Sequence, residues 1–182
     1  GGSAWVVNFG AEGGYVFGYG GQDVRIVDRF YLGSPRFRGF DIRGVGPRII
    51  RKPVLADGTV VEDESTWVND SIGGQAYYLG RVELQVPLGS KGAELGLRPS
   101  VYVDVGGLWD APQQIFITPP PPGQFGYKEF YYGDSAAPRV SIGAGVSWNS
   151  PFGPFRFDLA KALVTQQGDI TKVLQFNVGT QF

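Results

Sequence analysis

The chain has 182 residues, enough for one ordinary domain, and its net charge of -1 gives no bulk attraction toward nucleic acid or an anionic lipid surface. Charged residues make up only 18%, below the roughly 25% of soluble domains, while 29 Gly, 13 Phe, 9 Tyr and 4 Trp give a composition rare in water-soluble proteins. With no Cys, His or Met, the sequence excludes thiol chemistry, imidazole bases, His-ligated metals and a Ser-His-Asp arrangement, and no cofactor or metal is expected.

No window approaches the roughly 18 consecutive apolar residues of a spanning helix, so a membrane crossing must use strands. The start at Gly1-Gly2, without Met or a signal peptide, reads as a processed or excised piece of a longer protein. Alternation with period two recurs in six stretches separated by Gly, Pro, Asp and Ser clusters.

In residues 4 to 19 one face reads Trp5, Val7, Phe9, Ala11, Gly13, Tyr15, Phe17 and Tyr19, and the other is small and polar. Residues 74 to 88 set Tyr78, Val82, Leu84, Val86 and Leu88 against Gln75, Tyr77, Arg81, Glu83 and Gln85. Residues 95 to 106 set Leu95, Leu97, Val101, Val103 and Val105 against Arg98, Ser100, Tyr102, Asp104 and Gly106. Pro99 cannot donate to a ladder, so that strand is expected to start after it. The remaining stretches run Val140 to Trp148, Phe155 to Leu159 and Leu174 to Phe182, with Ser141, Gly143, Gly145, Ser147, Arg156, Asp158, Gln175 and Asn177 on their polar faces.

Such a pattern suits a soluble sandwich or lipid-binding barrel with its apolar face inside, or a transmembrane barrel with its apolar face toward lipid and its polar face toward the lumen. The spacing of the stretches favours the second. Connections alternate from long (about 20 to 73) to short (89 to 94), long (about 111 to 138), short (149 to 154) and medium (165 to 171), as expected of short periplasmic turns and long extracellular loops. The run Pro119 to Pro122 falls in the second long loop, where no ladder is needed.

The segment Arg29-Phe-Tyr-Leu-Gly-Ser-Pro-Arg-Phe-Arg-Gly-Phe40, followed by Gly44-Val-Gly-Pro-Arg48, resembles the long sixth extracellular loop of BamA-type outer-membrane insertases, with Phe37-Arg38-Gly39-Phe40 matching the (V/F)-R-G-(F/Y) signature. Trp148 to Asp158, with its Ser150-Pro-Phe-Gly-Pro154 turn, is similar to the penultimate hairpin of that family. Leu174-Gln-Phe-Asn-Val-Gly-Thr-Gln-Phe182 is similar to a terminal barrel strand closing on an aromatic residue. Translocation-assembly and two-partner-secretion barrels share the R-G-(F/Y) loop and remain the nearest alternatives.

The resemblance implies an all-β fold: the C-terminal portion, about six strands, of a transmembrane antiparallel β-barrel with a long lumen-plugging loop, in the bacterial outer membrane. It implies a non-catalytic insertase component that assembles and inserts β-barrel proteins, with a polypeptide-translocating or passive pore barrel as the alternative. Glu83 and Asp104 fall on the polar faces of neighbouring strands, and the family pattern implies that Arg38 folds into the lumen to pair with acidic residues there. Phe37, Arg38, Gly39, Phe40, Glu83 and Asp104 thus form an expected loop lock, and Leu174, Phe176, Asn177, Val178, Gly179, Thr180 and Phe182 an expected terminal strand beside the barrel seam. A cation between two carboxylates also argues against a glycosidase acid/base pair, which needs one pKa raised.

Implied partners are unfolded outer-membrane proteins, lipid and lipopolysaccharide, and accessory assembly lipoproteins docked through periplasmic domains outside this chain. A missing N-terminal barrel half, or copies of the chain itself, would complete the barrel. No nucleic acid is expected.

Overall fold

Period-two alternation becomes a six-stranded antiparallel sheet in the computed structural model, which describes residues 4–112 and 126–178. Its strands are β1 (Val6–Tyr15), β4 (Ala76–Gln85), β5 (Leu97–Trp109), β7 (Ser135–Ser150), β8 (Gly153–Val164) and β9 (Leu174–Val178), paired in that order. β1 and β9 are the two edges, so the sheet is an open segment of a barrel wall. With 10, 13, 16 and 12 residues, β4, β5, β7 and β8 each reach the roughly 9 to 11 needed to cross a bilayer as a tilted strand.

The two faces separate as parity demands. Val82, Val101, Val103, Ile142, Phe157 and Phe176 are exposed on the outside, whereas Tyr102, Asp104, Ser141, Arg156, Asp158 and Gln175 are buried on the inside. A sheet that exposes its apolar face and buries its charges fits hydrocarbon outside and a polar lumen inside. On the outside, near the turn between β7 and β8, Trp148 stacks toward Phe155 (centroids 6.1 Å), Phe155 on Phe176 (5.8 Å) and Phe176 on Phe157 (4.7 Å).

Several boundaries differ from the sequence reading. Pro99 lies inside β5, opposite Val146 on one side, and serves the ladder as an acceptor: its carbonyl takes the Val86 N–H at 2.9 Å. β1 ends at Tyr15, before Phe17 and Tyr19. β7 begins at Ser135, because Ser135-Ala-Ala-Pro-Arg139 pairs as strand without apolar alternation. The short connection after β4 contains an α-helix, α1 (Gly89–Glu94).

The two long loops build a second, three-stranded antiparallel sheet, with β2 (Arg48–Pro53) between β3 (Val68–Ser71) and β6 (Tyr127–Tyr132). Arg48-Ile49-Ile50-Arg51-Lys52-Pro53 lacks a clean period, which hid it from the alternation search. Pro119 to Pro122, Gly179, Thr180 and Phe182 lie outside the described residues.

The apolar core sits where the first long loop meets the inner wall. Leu32, Phe37, Phe40 and Val45 of the loop pack against Leu79 of β4 and Leu108 of β5, with Phe30, Tyr77 and Ala162 around them. Toward the long-loop end, therefore, the inner face of β4 and β5 exchanges charge for hydrocarbon and becomes a docking floor.

Candidate functional site

The loop reaches this floor by a chain of backbone and side-chain ties. Arg29 donates to the Val24 and Ile72 carbonyls at 3.0 Å each, and bridges Phe30–Gly74 and Leu32–Val45 hold the strand-like entry to the tip. The Phe37 N–H donates to the Gly33 carbonyl at 2.9 Å, closing the turn. Phe37 and Phe40 are fully buried with their rings 4.6 Å apart, so the aromatic pair anchors the tip and leaves Arg38 aimed at the wall.

Gly39 is required on two counts. Its φ of +89° is unfavourable for an L side chain, and an added Cβ would stand 2.9 Å from the Ser141 Cβ of β7. Gly106 of β5 provides clearance on the other side, where a Cβ would meet the Phe37 ring at 3.1 Å.

The register explains which carboxylates Arg38 meets. Arg81 pairs with Asp104 and Glu83 with Tyr102 across β4 and β5, which places both acids on one inner surface. Arg38 Nε and Nη2 donate to the two Asp104 oxygens at 2.8 and 2.6 Å, its backbone N–H donates to Asp104 at 3.1 Å, and Nη1 donates to Glu83. The guanidinium carbon stands 3.3 Å from the centroid of the Tyr102 ring, so a cation–π contact covers its face. Burial alone would lower the Arg38 pKa, but Asp104 and Glu83 more than offset this and raise it above the ordinary arginine value. Loss of the guanidinium charge is therefore no route to release at physiological pH.

The structure thus brings Phe37, Arg38, Gly39, Phe40, Glu83 and Asp104 together. It also adds Arg156 and Asp158 of β8, which sequence reasoning had left as ordinary polar-face residues. Arg156 donates to Asp158 at 2.9 Å twice and to Glu83 at 3.3 Å. The result is an alternating row, Asp104, Arg38, Glu83, Arg156, Asp158, running across β5, the loop, β4 and β8. The available signal was that two opposite charges at i and i+2 on an inward face need partners once buried.

Arg36 adds a tie to Glu12 on the inner face of β1 at 2.6 Å. Leu174, Phe176 and Val178 lie apart from the lock, exposed on the outer face of edge strand β9, while Asn177 is half-buried opposite Arg156 in the register. Among the described residues no cluster of His, Cys, Asp or Glu is arranged to hold a metal ion. A guanidinium fork shared between carboxylates of two strands fixes the position of the loop tip against the wall.

An open antiparallel wall with apolar outside, charged inside and a long loop folded onto its inner surface defines a plugged transmembrane β-barrel, here seen in part. The Omp85 superfamily domain model matches residues 2–182, and the chain belongs to that superfamily. Among its relatives is the outer membrane protein assembly factor BamA of Neorickettsia risticii (strain Illinois), 36% identical over 177 residues that cover 97% of this chain and 20% of that protein. BamA of Neisseria meningitidis serogroup B is 28% identical over 186 residues, covering 95% of this chain and 21% of the relative. The crystal structure of BamA from Haemophilus ducreyi lacking POTRA domains 1-3 superposes with a TM-score of 0.66 at 25% identity, over 94% of this chain and 30% of that one. The chain therefore spans about a fifth of the length of the two BamA relatives.

Proposed function

We propose that this chain is the C-terminal wall of a BamA-type insertase, a non-catalytic machine that folds β-barrel proteins into the bacterial outer membrane. The observation that carries the reading is the Arg38 fork, which holds a loop tip against Asp104 and Glu83 inside a membrane-facing wall. The likeness to two assembly factors over nearly the whole chain supports it.

The physical task explains the architecture. An unpaired strand in hydrocarbon leaves backbone groups unsatisfied at several kcal/mol each, so an incoming barrel protein must pair before it enters. An edge strand supplies that pairing by strand addition, and in this reading β9 takes that part. Leu174, Phe176, Asn177 and Val178 form the C-terminal side of the seam in this reading. The lock keeps the loop seated while the seam works.

The substrates are unfolded outer-membrane proteins. Lipid and lipopolysaccharide contact the outer face, accessory lipoproteins dock on periplasmic domains outside this chain, and an N-terminal half completes the wall. A passive pore is the less suitable use of this wall, since a packed apolar loop core fills its inner face at one end.

The test uses the full-length protein reconstituted in vesicles with a model barrel substrate. Arg38→Ala should slow insertion even where the variant reaches the membrane folded, and Arg38→Lys, which keeps charge but loses the fork, should fall between. Insertion at the normal rate by folded Arg38→Ala protein would overturn the lock's role.

A further inference from the structure

The last loop, residues 165–173, holds a second buried ion pair. Asp169 and Arg139 of β7 have no exposed side-chain surface, and they meet through two contacts, Nε to Oδ2 at 3.0 Å and Nη2 to Oδ1 at 3.4 Å. Arg139 spends its other hydrogens on backbone: Nη1 donates to the Ser135 and Ala137 carbonyls at 2.6 and 3.2 Å, and Nη2 to the Gly133 carbonyl at 2.9 Å. Asp169 also accepts the Gln166 N–H at 2.8 Å. The pair therefore knots the start of β7, the turn before it and the last loop together.

Replacing a buried ion pair by apolar packing often costs nothing, so such a pair is better read as fixing position than as adding stability. What it fixes is the next stretch of chain. Immediately after Asp169, Ile170 exchanges backbone hydrogen bonds with the loop tip: its N–H donates to Gly44 and its carbonyl accepts from Asp41, both at 2.9 Å. Thr171 bridges Phe40, and the Lys172 N–H donates to the Gly39 carbonyl at 3.0 Å. Val173 then accepts the Ala160 N–H at 2.9 Å and the chain enters β9 at Leu174.

We propose that Arg139 and Asp169 are positioning residues that hold the last loop in register with the Gly39–Gly44 tip, so that any shift of the Arg38 loop is passed through Ile170 and Lys172 to edge strand β9. The use of such a link rests on the insertase reading; its existence is a matter of geometry alone.

The experiment is amide hydrogen exchange on full-length protein in vesicles, scoring only material that migrates as folded barrel in a heat-modifiability gel. Arg38→Ala should raise exchange at Ile170, Lys172 and Leu174–Val178 together, by at least about tenfold. Asp169→Asn, which leaves Arg139 without its counter-charge, should raise the same amides, and adding Arg38→Ala to it should raise β9 no further. Cysteines replacing Asp41 and Lys172, whose exposed side-chain ends approach to 3.8 Å, should be bridged by a short bifunctional thiol reagent in the parent and lose that bridge in Asp169→Asn.

Additive effects of the two substitutions on β9 would overturn the proposal, because an ordinary stabilising contact behaves that way. Should Asp169→Asn fail to fold, the Arg38→Ala arm decides alone: a rise confined to the loop tip, with Leu174–Val178 unchanged, overturns the link. Insertion rates are read separately. Coupled exchange beside normal insertion would sustain the link and count against the insertase reading.

Discussion

Arg38 and Arg51 each hold two carboxylates, one pair inside the barrel wall and the other in the sheet of the long loops. Arg38 keeps 8% of its side chain exposed against a fully enclosed Asp104, whereas Arg51 keeps 32% exposed beside Asp70 and Glu129, each at 3.0 Å. The chemistry is the same and the surroundings differ. Near water, attraction is weak and side-chain ordering offsets much of it; enclosed, each charge depends on its partner because hydration is no longer available. The buried fork is therefore costly to break, and the exposed one is mostly a convenience of the fold.

The largest expected effect comes from Arg38→Ala, which leaves Asp104 and Glu83 facing each other beneath a packed loop. Breaking a buried pair in this way costs about 3 to 5 kcal/mol. Released from its anchor, the loop of residues 20 to 73 should become open to protease in folded, membrane-embedded protein. Proteolysis at the parent rate would remove the contrast with Arg51.

Arg156→Ala should come next, since Asp158 loses its bidentate partner and Glu83 loses one of two cations while keeping the other. Its thermal midpoint should fall between those of Arg38→Ala and the parent, and a fall as deep as that of Arg38→Ala would show that the row acts as one unit. Gly39→Ala tests the tip by sterics alone. Holding an L residue at positive φ costs about 1 to 3 kcal/mol, and the Ser141 contact adds to it, so thermal stability should drop with every charge still present.

Arg51→Ala should cost the least, about 0.2 to 1 kcal/mol, and the parent's advantage over it should shrink in high salt. Denaturation at two ionic strengths measures this. A salt-independent loss would mean that the loop sheet is more enclosed than its exposure indicates.

The outer wall was legible because hydrocarbon on one side and a polar lumen on the other impose a strict period of two, visible in β5 from Val101 to Asp104. Parity also put Glu83 and Asp104 on one surface. It could not supply Arg38, which lies far away in the chain; that link came from the likeness of Phe37-Arg38-Gly39-Phe40 to a family signature. β2, β3 and β6 were hidden because they belong to loops, where adjacent Ile49 and Ile50 are both buried and alternation fails. Arg139 and Asp169 were hidden for a related reason: loop closure, not periodicity, brings them together.

The ring ladder on the outer face has a consequence for how the wall sits in its membrane. Trp148, Phe155, Phe176 and Phe157 lie near the short-turn end and link β7, β8 and β9 by ring contact in addition to their ladder hydrogen bonds. Aromatic side chains prefer the boundary between headgroups and acyl chains, so the ladder draws a waterline across the last three strands. Because Phe176 belongs to it, the edge strand cannot ride up or down without dragging an aromatic ring out of that boundary. A bilayer whose thickness does not match the wall's apolar band would then adjust toward these rings, at a cost of fractions of a kcal/mol per Å of mismatch.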